Sequence, residues 1–293
     1  YLGVSIYYAE SLETIGDNLK EVKPEIFTCV PRLLEKVYDK IISKGSELTG
    51  LKRKLFFWSV ALGEKYEGVG KGGWWYNLQL SLANKIIFSK WREALGGNVR
   101  AAVSGGAALN PRLARIFWSA QIPVLEGYGL TETSPVIAVN NFQPNGMKFG
   151  TVGPILENVQ VKIADDGEIL CKGPNIMLGY YKKPEATAEV IDKDGWFHTG
   201  DIGILEEGRF LKITDRKKEI FKTSGGKYIA PQMIENKIKE VSLVEQVMVV
   251  GESQKFASAL IVPSFIKIKA MYEKQGKAYP GNEEAIKNPD IIK

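Results

Sequence analysis

The sequence predicts an α/β protein in which a helix-and-strand sheet layer gives way to a small antiparallel, barrel-like β subdomain and then to a small α+β domain. Three observations carry that expectation. Residues 26–128 alternate short apolar strands with amphipathic helices, and glycine turns follow the strands. Residues 159–213 switch to period-two alternation broken by Asp-Asp-Gly and Glu-Glu-Gly turns. Residues 219–272 then run strand, turn, helix, strand, strand, helix on a smaller scale.

Taken in order, residues 26–30 read as a buried strand. Pro31 suits the first turn of a helix, where its missing N–H is no loss. Leu33, Leu34, Val37, Tyr38, Ile41 and Ile42 follow at helical spacing, and Gly45 reads as a stop. A second amphipathic segment covers 51–66, and a basic, glycine-rich loop at 68–73 leads through Trp74 and Trp75 into a third helix. Residues 99–103 form a strand, Ser104-Gly105-Gly106 a turn, and Asn110-Pro111 caps a helix through Trp118. Val124 and Leu125 begin another strand. Val159, Val161 and Ile163 alternate, as do Ile169 and Cys171, and Ile202–Leu205 faces Phe210–Ile213 across Glu206-Glu207-Gly208. Residues 219–223 read as a strand, Ser224-Gly225-Gly226 as a turn, and Pro231 as the start of a helix. Strands at 247–250 and 259–262 and a helix at 266–272 complete the pattern. The expected division is 1–214 (sheet layer 1–140, β subdomain 141–214) and 215–293.

Composition narrows the function classes. The 293 residues hold 39 Lys+Arg and 34 Asp+Glu, a net charge of +5, too small for so long a chain to imply a nucleic-acid binder. Hydrophobic residues at 44% and charged residues at 25% exclude disorder and fibrous structure. Two cysteines, Cys29 and Cys171, make no disulfide scaffold, and one histidine, His198, makes no His-cluster metal site. No leader and no apolar run near the ~18 residues of a membrane span is visible, which fits a reducing, cytoplasmic setting.

Four stretches carry candidate chemistry, each expected on a turn after a strand. In Ser104-Gly105-Gly106-Ala107-Ala108, missing side chains let a flat ligand lie against backbone; taken alone, the stretch reads as a tight turn before a helix. In Glu126-Gly127-Tyr128-Gly129-Leu130-Thr131-Glu132-Thr133, two glycines make room around a ring. Thr131 offers a hydroxyl to phosphate, and Glu132 is the hard oxygen ligand that Mg²⁺ prefers. In 195–201, Asp201 on a glycine turn is able to accept hydrogen bonds from vicinal hydroxyls, or is a plain turn residue. His198 has no evident orienting partner nearby and is read as structural. In 215–227, the cations around Arg216 form a solvated patch or a nucleotide contact, with Asp215 on a hinge.

In this order and spacing the four stretches resemble the later core motifs of the acyl-adenylate-forming enzymes, the superfamily of acyl-CoA synthetases, firefly luciferase and peptide-synthetase adenylation domains. The wording EGYGLTETSPV (126–136), GWFHTGD (195–201) and DRKKEIFKTSGGKYIAP (215–231) is closest to AMP-forming long-chain fatty acid–CoA ligases. PEIFTCVPRLLEKVYDKI (24–41) and KFASALIVP (255–263) extend the resemblance over most of the chain.

The resemblance implies that ATP, Mg²⁺ and coenzyme A serve a fatty acid substrate. Gly105, Gly106 and Ala107 would line the adenine and acyl pocket. Glu126, Gly127, Tyr128 and Gly129 would hold the nucleotide, Tyr128 by stacking on adenine. Thr131 would contact phosphate, Glu132 the Mg²⁺, Asp201 the ribose hydroxyls, and Arg216 the ribose and α-phosphate. Asp215 would be the interdomain hinge, Gly225 and Gly226 a turn that enters the site after domain rotation, and Lys222 a candidate for the second half-reaction. The family's phosphate loop would precede Tyr1 and its catalytic lysine follow Lys293, so the piece read here is expected to be incompetent by itself. Two alternatives stay open: a non-catalytic nucleotide- or lipid-binding module, and a ligase for another carboxylate. A peripheral membrane contact is compatible with the enzyme reading.

Overall fold

The computed structural model of the chain describes residues 3–11, 13–241 and 243–292. They fall into two compact units, one of residues 1–127 with 140–150 and one of 128–139 with 151–293.

The first unit is a parallel sheet with helices. Strands β1 (Ile26–Cys29), β2 (Ala101–Ser104) and β3 (Val124–Tyr128) pair in that order, with Cys29 opposite Ser104 and Ser104 opposite Glu126. Parallel neighbours need crossovers, supplied by α2 (Pro31–Ser46), α3 (Gly50–Glu64), α4 (Trp74–Ala83) and α5 (Ser89–Ala94) between β1 and β2, and by α6 (Pro111–Ser119) before β3. A helix at the unit's start, α1 (Ile15–Val22), is an addition to the expected elements. In α6, Asn110 Oδ1 accepts the Arg112 N–H at 2.9 Å, Pro111 fills the first position, and Leu113, Ala114, Ile116 and Phe117 face inward. The core packs Phe56, Phe88, Trp91 and Phe117 edge to face or tilted around Leu34, Tyr38, Val60 and Ile116.

Two local features differ from the sequence reading, each for a packing reason. Gly45 does not stop α2. It is buried in the last turn, where a Cβ would overlap the Phe56 ring. Between α4 and α5 a π-helical stretch, Asn84–Phe88, replaces a plain loop or helix. The Asn84 amide there donates to the Ser119 carbonyl at 2.8 Å and its Oδ1 accepts from Arg92 at 2.8 Å. A buried polar side chain with partners across the core fixes the wide turn.

The second unit begins at Tyr128 and includes β4 (Ala138–Val139), whose Ala138 bridges Ile155. Its main sheet is an antiparallel meander of β5 (Gln160–Ile163), β6 (Glu168–Lys172), β7 (Phe197–Glu206) and β8 (Phe210–Arg216), with α7 (Pro184–Val190) between β6 and β7. Ile137, Ala138, Ile169, Cys171 and Leu211 form its core. A small α+β portion follows. Ribbon β9 (Phe221–Lys222) with β10 (Tyr228–Ile229) precedes α8 (Pro231–Lys239), then β11 (Val244–Val250), β12 (Ser258–Pro263), α9 (Phe265–Lys274), α10 (Asn282–Ala285) and α11 (Pro289–Ile292). The strand expected at 219–223 is only the two paired residues of β9, because the Glu219 and Ile220 N–H groups both bond to the Arg216 carbonyl in a turn. The α/β class, the antiparallel sheet and the small terminal α+β portion stand as read. Among the described residues no helix is long and apolar enough to cross a membrane.

Candidate nucleotide site

Register brings Asp201 and Arg216 together. Glu207 (φ 53°) and Gly208 (φ 69°) are the two left-handed residues of a tight hairpin turn, closed by the Arg209 N–H on the Glu206 carbonyl at 3.2 Å. Counting back through a bulge at Ile202/Gly203, that turn sets Asp201 opposite Arg216 and Ile202 opposite Asp215. Arg216 Nε then lies 3.2 Å from Asp201 Oδ1, a cross-strand ion pair. Asp201 is therefore on a strand, not on the glycine turn the sequence suggested. It shares the buried face of β7 with Phe197 and Thr199, and Thr199 Oγ1 accepts its backbone N–H at 3.1 Å. The carboxylate is almost closed off, whereas the Arg216 side chain remains 59% exposed.

The third member is Tyr128, whose hydroxyl donates to Asp201 Oδ2 at 2.7 Å. Burial raises the Tyr128 phenol well above its ordinary pKa, and the Asp201 charge adds to the effect. The loop behind it is tightly built. A Cβ on Gly129 would overlap the Pro135 carbonyl, so only glycine fits. A 3₁₀ turn covers Thr131–Thr133. Thr133 Oγ1 donates to the Pro135 carbonyl at 2.7 Å and accepts the Leu130 N–H at 2.9 Å, which buries Thr133. Thr131 stays exposed, and Glu132 is half-buried with Oε1 accepting the Tyr180 hydroxyl at 3.0 Å. Tyr180 was not anticipated; nothing in its local sequence marks it, since the contact spans 48 residues of chain.

In the first unit, adjacent strand ends bring the two glycine segments side by side. A Cβ on Gly105 would meet the Gly127 carbonyl at ordinary van der Waals distance, and Gly106 turns at φ 81°. Ala107 follows at the carboxyl edge of the parallel sheet, the edge where open α/β sheets take ligands. Glu126 is buried there, and burial pushes its carboxyl up to about 8 against a backbone hydrogen bond involving Leu109.

Toward the end of the second unit, Asp215 is fully buried. Its Oδ1 accepts the Arg216 N–H at 2.7 Å and its Oδ2 the Gln232 N–H at 3.1 Å, so it caps the start of α8. Gly225 and Gly226 form the exposed tip of the β9–β10 ribbon, Gly226 at φ 83° with its N–H on the Thr223 carbonyl. Lys222 lies opposite Tyr228 in the ribbon, its ammonium 5.0 Å from the ring centroid. The structure thus gathers Tyr128, Asp201 and Arg216. It places Glu132 with Tyr180, and it places Lys222, Gly225 and Gly226 on the ribbon.

An ionic cluster around the buried Glu168 escaped the sequence reading. Glu168 accepts the Gly200 N–H at 2.9 Å through Oε1, while Oε2 lies 2.8 Å from Lys217 Nζ and 3.2 Å from His198 Nδ1. Lys217 also pairs with Asp166 at 2.7 Å. His198 therefore does have an orienting partner, and a second carboxylate, Asp192, lies 3.8 Å from its other nitrogen. The alternation of Ile169 and Cys171 sets Glu168 on the opposite face of β6 and so gave no signal; the strand is buried on both faces from 168 to 171, where an acid needs partners.

Comparison with known proteins follows the same lines. Residues 1–181 match the family model of the AMP-binding enzyme, and residues 218–278 match that of the AMP-binding enzyme C-terminal domain. The long-chain-fatty-acid–CoA ligase FadD15 of Mycobacterium tuberculosis is 38% identical over 264 residues, covering 88% of this chain and 43% of the relative. Human long-chain-fatty-acid–CoA ligase 1 is 36% identical over 301 residues, covering 98% and 42%. The chain thus spans less than half the length of these curated relatives. Among solved structures, the A-PCP didomain of a carboxylic acid reductase from Segniliparus rugosus, in complex with AMP, superposes with a TM-score of 0.60 at 26% identity over 91% of this chain and 34% of that one.

Proposed function

Because the chain belongs to the AMP-binding enzyme family, we propose that the protein activates a long-chain fatty acid as acyl-AMP and passes the acyl group to coenzyme A. In the first step a carboxylate oxygen bonds to the α-phosphorus of ATP and the bond to pyrophosphate breaks. In the second the coenzyme A thiolate bonds to the acyl carbonyl carbon and AMP leaves with the electron pair of its acyl–oxygen bond. Neither step needs a nucleophilic side chain.

The observation that carries this reading is the meeting of Tyr128, Asp201 and Arg216. A ring, a carboxylate and a cation joined by two short contacts are the chemistry an adenosine monophosphate calls for: a face for the base, an acceptor for ribose hydroxyls, a positive group for phosphate. The family resemblance alone adds Glu126, Gly127 and Gly129 for the base, and Gly105, Gly106 and Ala107 for base and acyl chain. Thr131 belongs with the phosphates. Among the described residues no group of three His, Cys, Asp or Glu side chains is placed to hold a metal ion, so an all-protein metal cage is not the fit. One carboxylate, Glu132, beside substrate phosphates suits Mg²⁺, which keeps much of its water and is commonly held that way. When bound, that ion supplies charge neutralisation on the phosphates.

Asp215 as a hinge between 1–214 and 215–293 belongs to the same proposal. A buried carboxylate capping α8 from the end of β8 couples that helix to the strand carrying Arg216. Rotation there would carry the Gly225–Gly226 tip and Lys222 to the site for the thioester step. The setting that goes with a fatty acid substrate is cytoplasmic, at or near a membrane surface. The test is a panel of carboxylic acids given to the intact enzyme, scored for AMP release with and without coenzyme A. Release that needs a long-chain acid supports the proposal. Nucleotide binding with no turnover of any acid refutes it in favour of a non-catalytic module.

A further inference from the structure

Glu168 touches neither partner of the Asp201–Arg216 pair, yet it holds the residue beside each. Its Oε1 takes the N–H of Gly200, the neighbour of Asp201, and its Oε2 takes the ammonium of Lys217, the neighbour of Arg216. The Lys217 N–H in turn bonds to the Gly200 carbonyl at 2.9 Å, which closes a ring across β7 and the end of β8. Regular antiparallel pairing is interrupted here by a register shift at Ile202/Gly203, and Gly200 lies at φ 72°. Gly200 also faces open space, so packing does not fix it. At 4% exposure, with Lys217, His198 and the Gly200 N–H around it, the carboxylate stays ionised: burial pushes its pKa up, and these three partners outweigh burial and bring it below the usual glutamate range.

We propose that Glu168 is a positioning residue for nucleotide recognition, clamping Gly200 and Lys217 so that Asp201 is held in register to meet a ribose. The inference rests on the acyl-adenylate reading of the site. A side chain that acts only by holding the fold together would weaken every nucleotide alike. One that acts through Asp201 is felt through the ribose hydroxyls.

The experiment is titration calorimetry of the intact enzyme with AMP and with 2′-deoxy-AMP, for wild type and Glu168→Gln. Wild type should favour AMP by about tenfold, the worth of a hydrogen bond to a charged group. Glu168→Gln keeps an acceptor for Gly200 but loses the charge that holds Lys217 and His198. Its affinity for AMP should fall by about tenfold while 2′-deoxy-AMP changes little, so the preference collapses. Lys217→Met, which leaves Glu168 bonded to Gly200 and His198, should show a smaller change of the same kind and carries the test if Glu168→Gln does not fold. Equal loss for both nucleotides, or an unchanged preference, overturns the proposal. Wild type that binds AMP without preferring it overturns the ribose assignment and the proposal with it, and wild type that binds no AMP removes the reading of the site itself.

Discussion

Glu126 offers a direct reading of how burial at the carboxyl edge of the parallel sheet affects the protein. Its carboxyl titrates at 4.5 when exposed and at about 8 when folded, because burial outweighs the backbone hydrogen bond involving Leu109. Below the unfolded value the group is protonated in both states, and its contribution to stability is fully present. Between the two values only the folded chain keeps the proton, so rising pH draws the chain toward the unfolded state, and above the folded value the loss is complete. At about 1.4 kcal/mol per pH unit, the whole span is on the order of 5 kcal/mol, a large part of the roughly 5–15 kcal/mol that holds a domain together. Glu126→Gln keeps a carbonyl acceptor for Leu109 in nearly the same shape and cannot ionise. Urea unfolding followed by tryptophan fluorescence from about pH 5 to about pH 9 reads the difference, since other titrating groups act equally on both proteins. The variant should match or fall below wild type at the acid end and exceed it by a few kcal/mol at the basic end. Parallel curves would show that Glu126 is ionised in the fold, and the account of this strand end would be wrong.

Other changes probe the second unit. Tyr128→Phe removes the 2.7 Å bond to Asp201 and leaves a buried carboxylate short of a donor, so calorimetry should show about 1–3 kcal/mol of lost stability, with weaker AMP binding. Gly129→Ala forces a methyl into the Pro135 carbonyl; a loss of about 1–3 kcal/mol or more, read as a lower Tm, is expected, and an unchanged Tm would mean the loop is looser than drawn. Asp215→Pro removes the cap on Gln232 and stiffens the backbone at that point, so thioester formation should suffer more than adenylation; equal losses in the two half-reactions would contradict the hinge.

Much of the architecture was legible because periodicity and punctuation agree in this chain. Asn110-Pro111 announced α6 and capped it as expected, and Glu206-Glu207-Gly208 marked a hairpin whose turn geometry then fixed Asp201 against Arg216. What stayed hidden was decided by partners far away in sequence. Gly45 looks like a helix stop until Phe56 is seen against it. His198 looked partnerless because Glu168 lies 30 residues earlier, and the Tyr180–Glu132 bond spans 48. The Asn84 π-helical turn depends on carbonyls in α6 and just beyond it, at Ser119 and Ala120, that no local pattern reveals. Local propensity writes the elements; the polar contacts that tune a site are written by the fold.

The hydrogen bonds of Asp201 also constrain how a nucleotide would enter. A carboxylate has about four acceptor positions; the Tyr128 hydroxyl uses one, and Arg216 lies beside the other oxygen as an ion pair. A vicinal diol therefore does not have to displace the Tyr128 hydroxyl, a phenol that burial already holds protonated. Arg216 is the adaptable member. Its contact runs through Nε, which leaves the N–H groups of its two terminal nitrogens for an anion, and its side chain is mostly in solvent. A rigid acceptor backed by a buried donor, beside a cation free to turn toward phosphate, is an arrangement in which little has to reorganise when the ligand arrives. Preorganisation of this kind is what lets a polar site bind in competition with water.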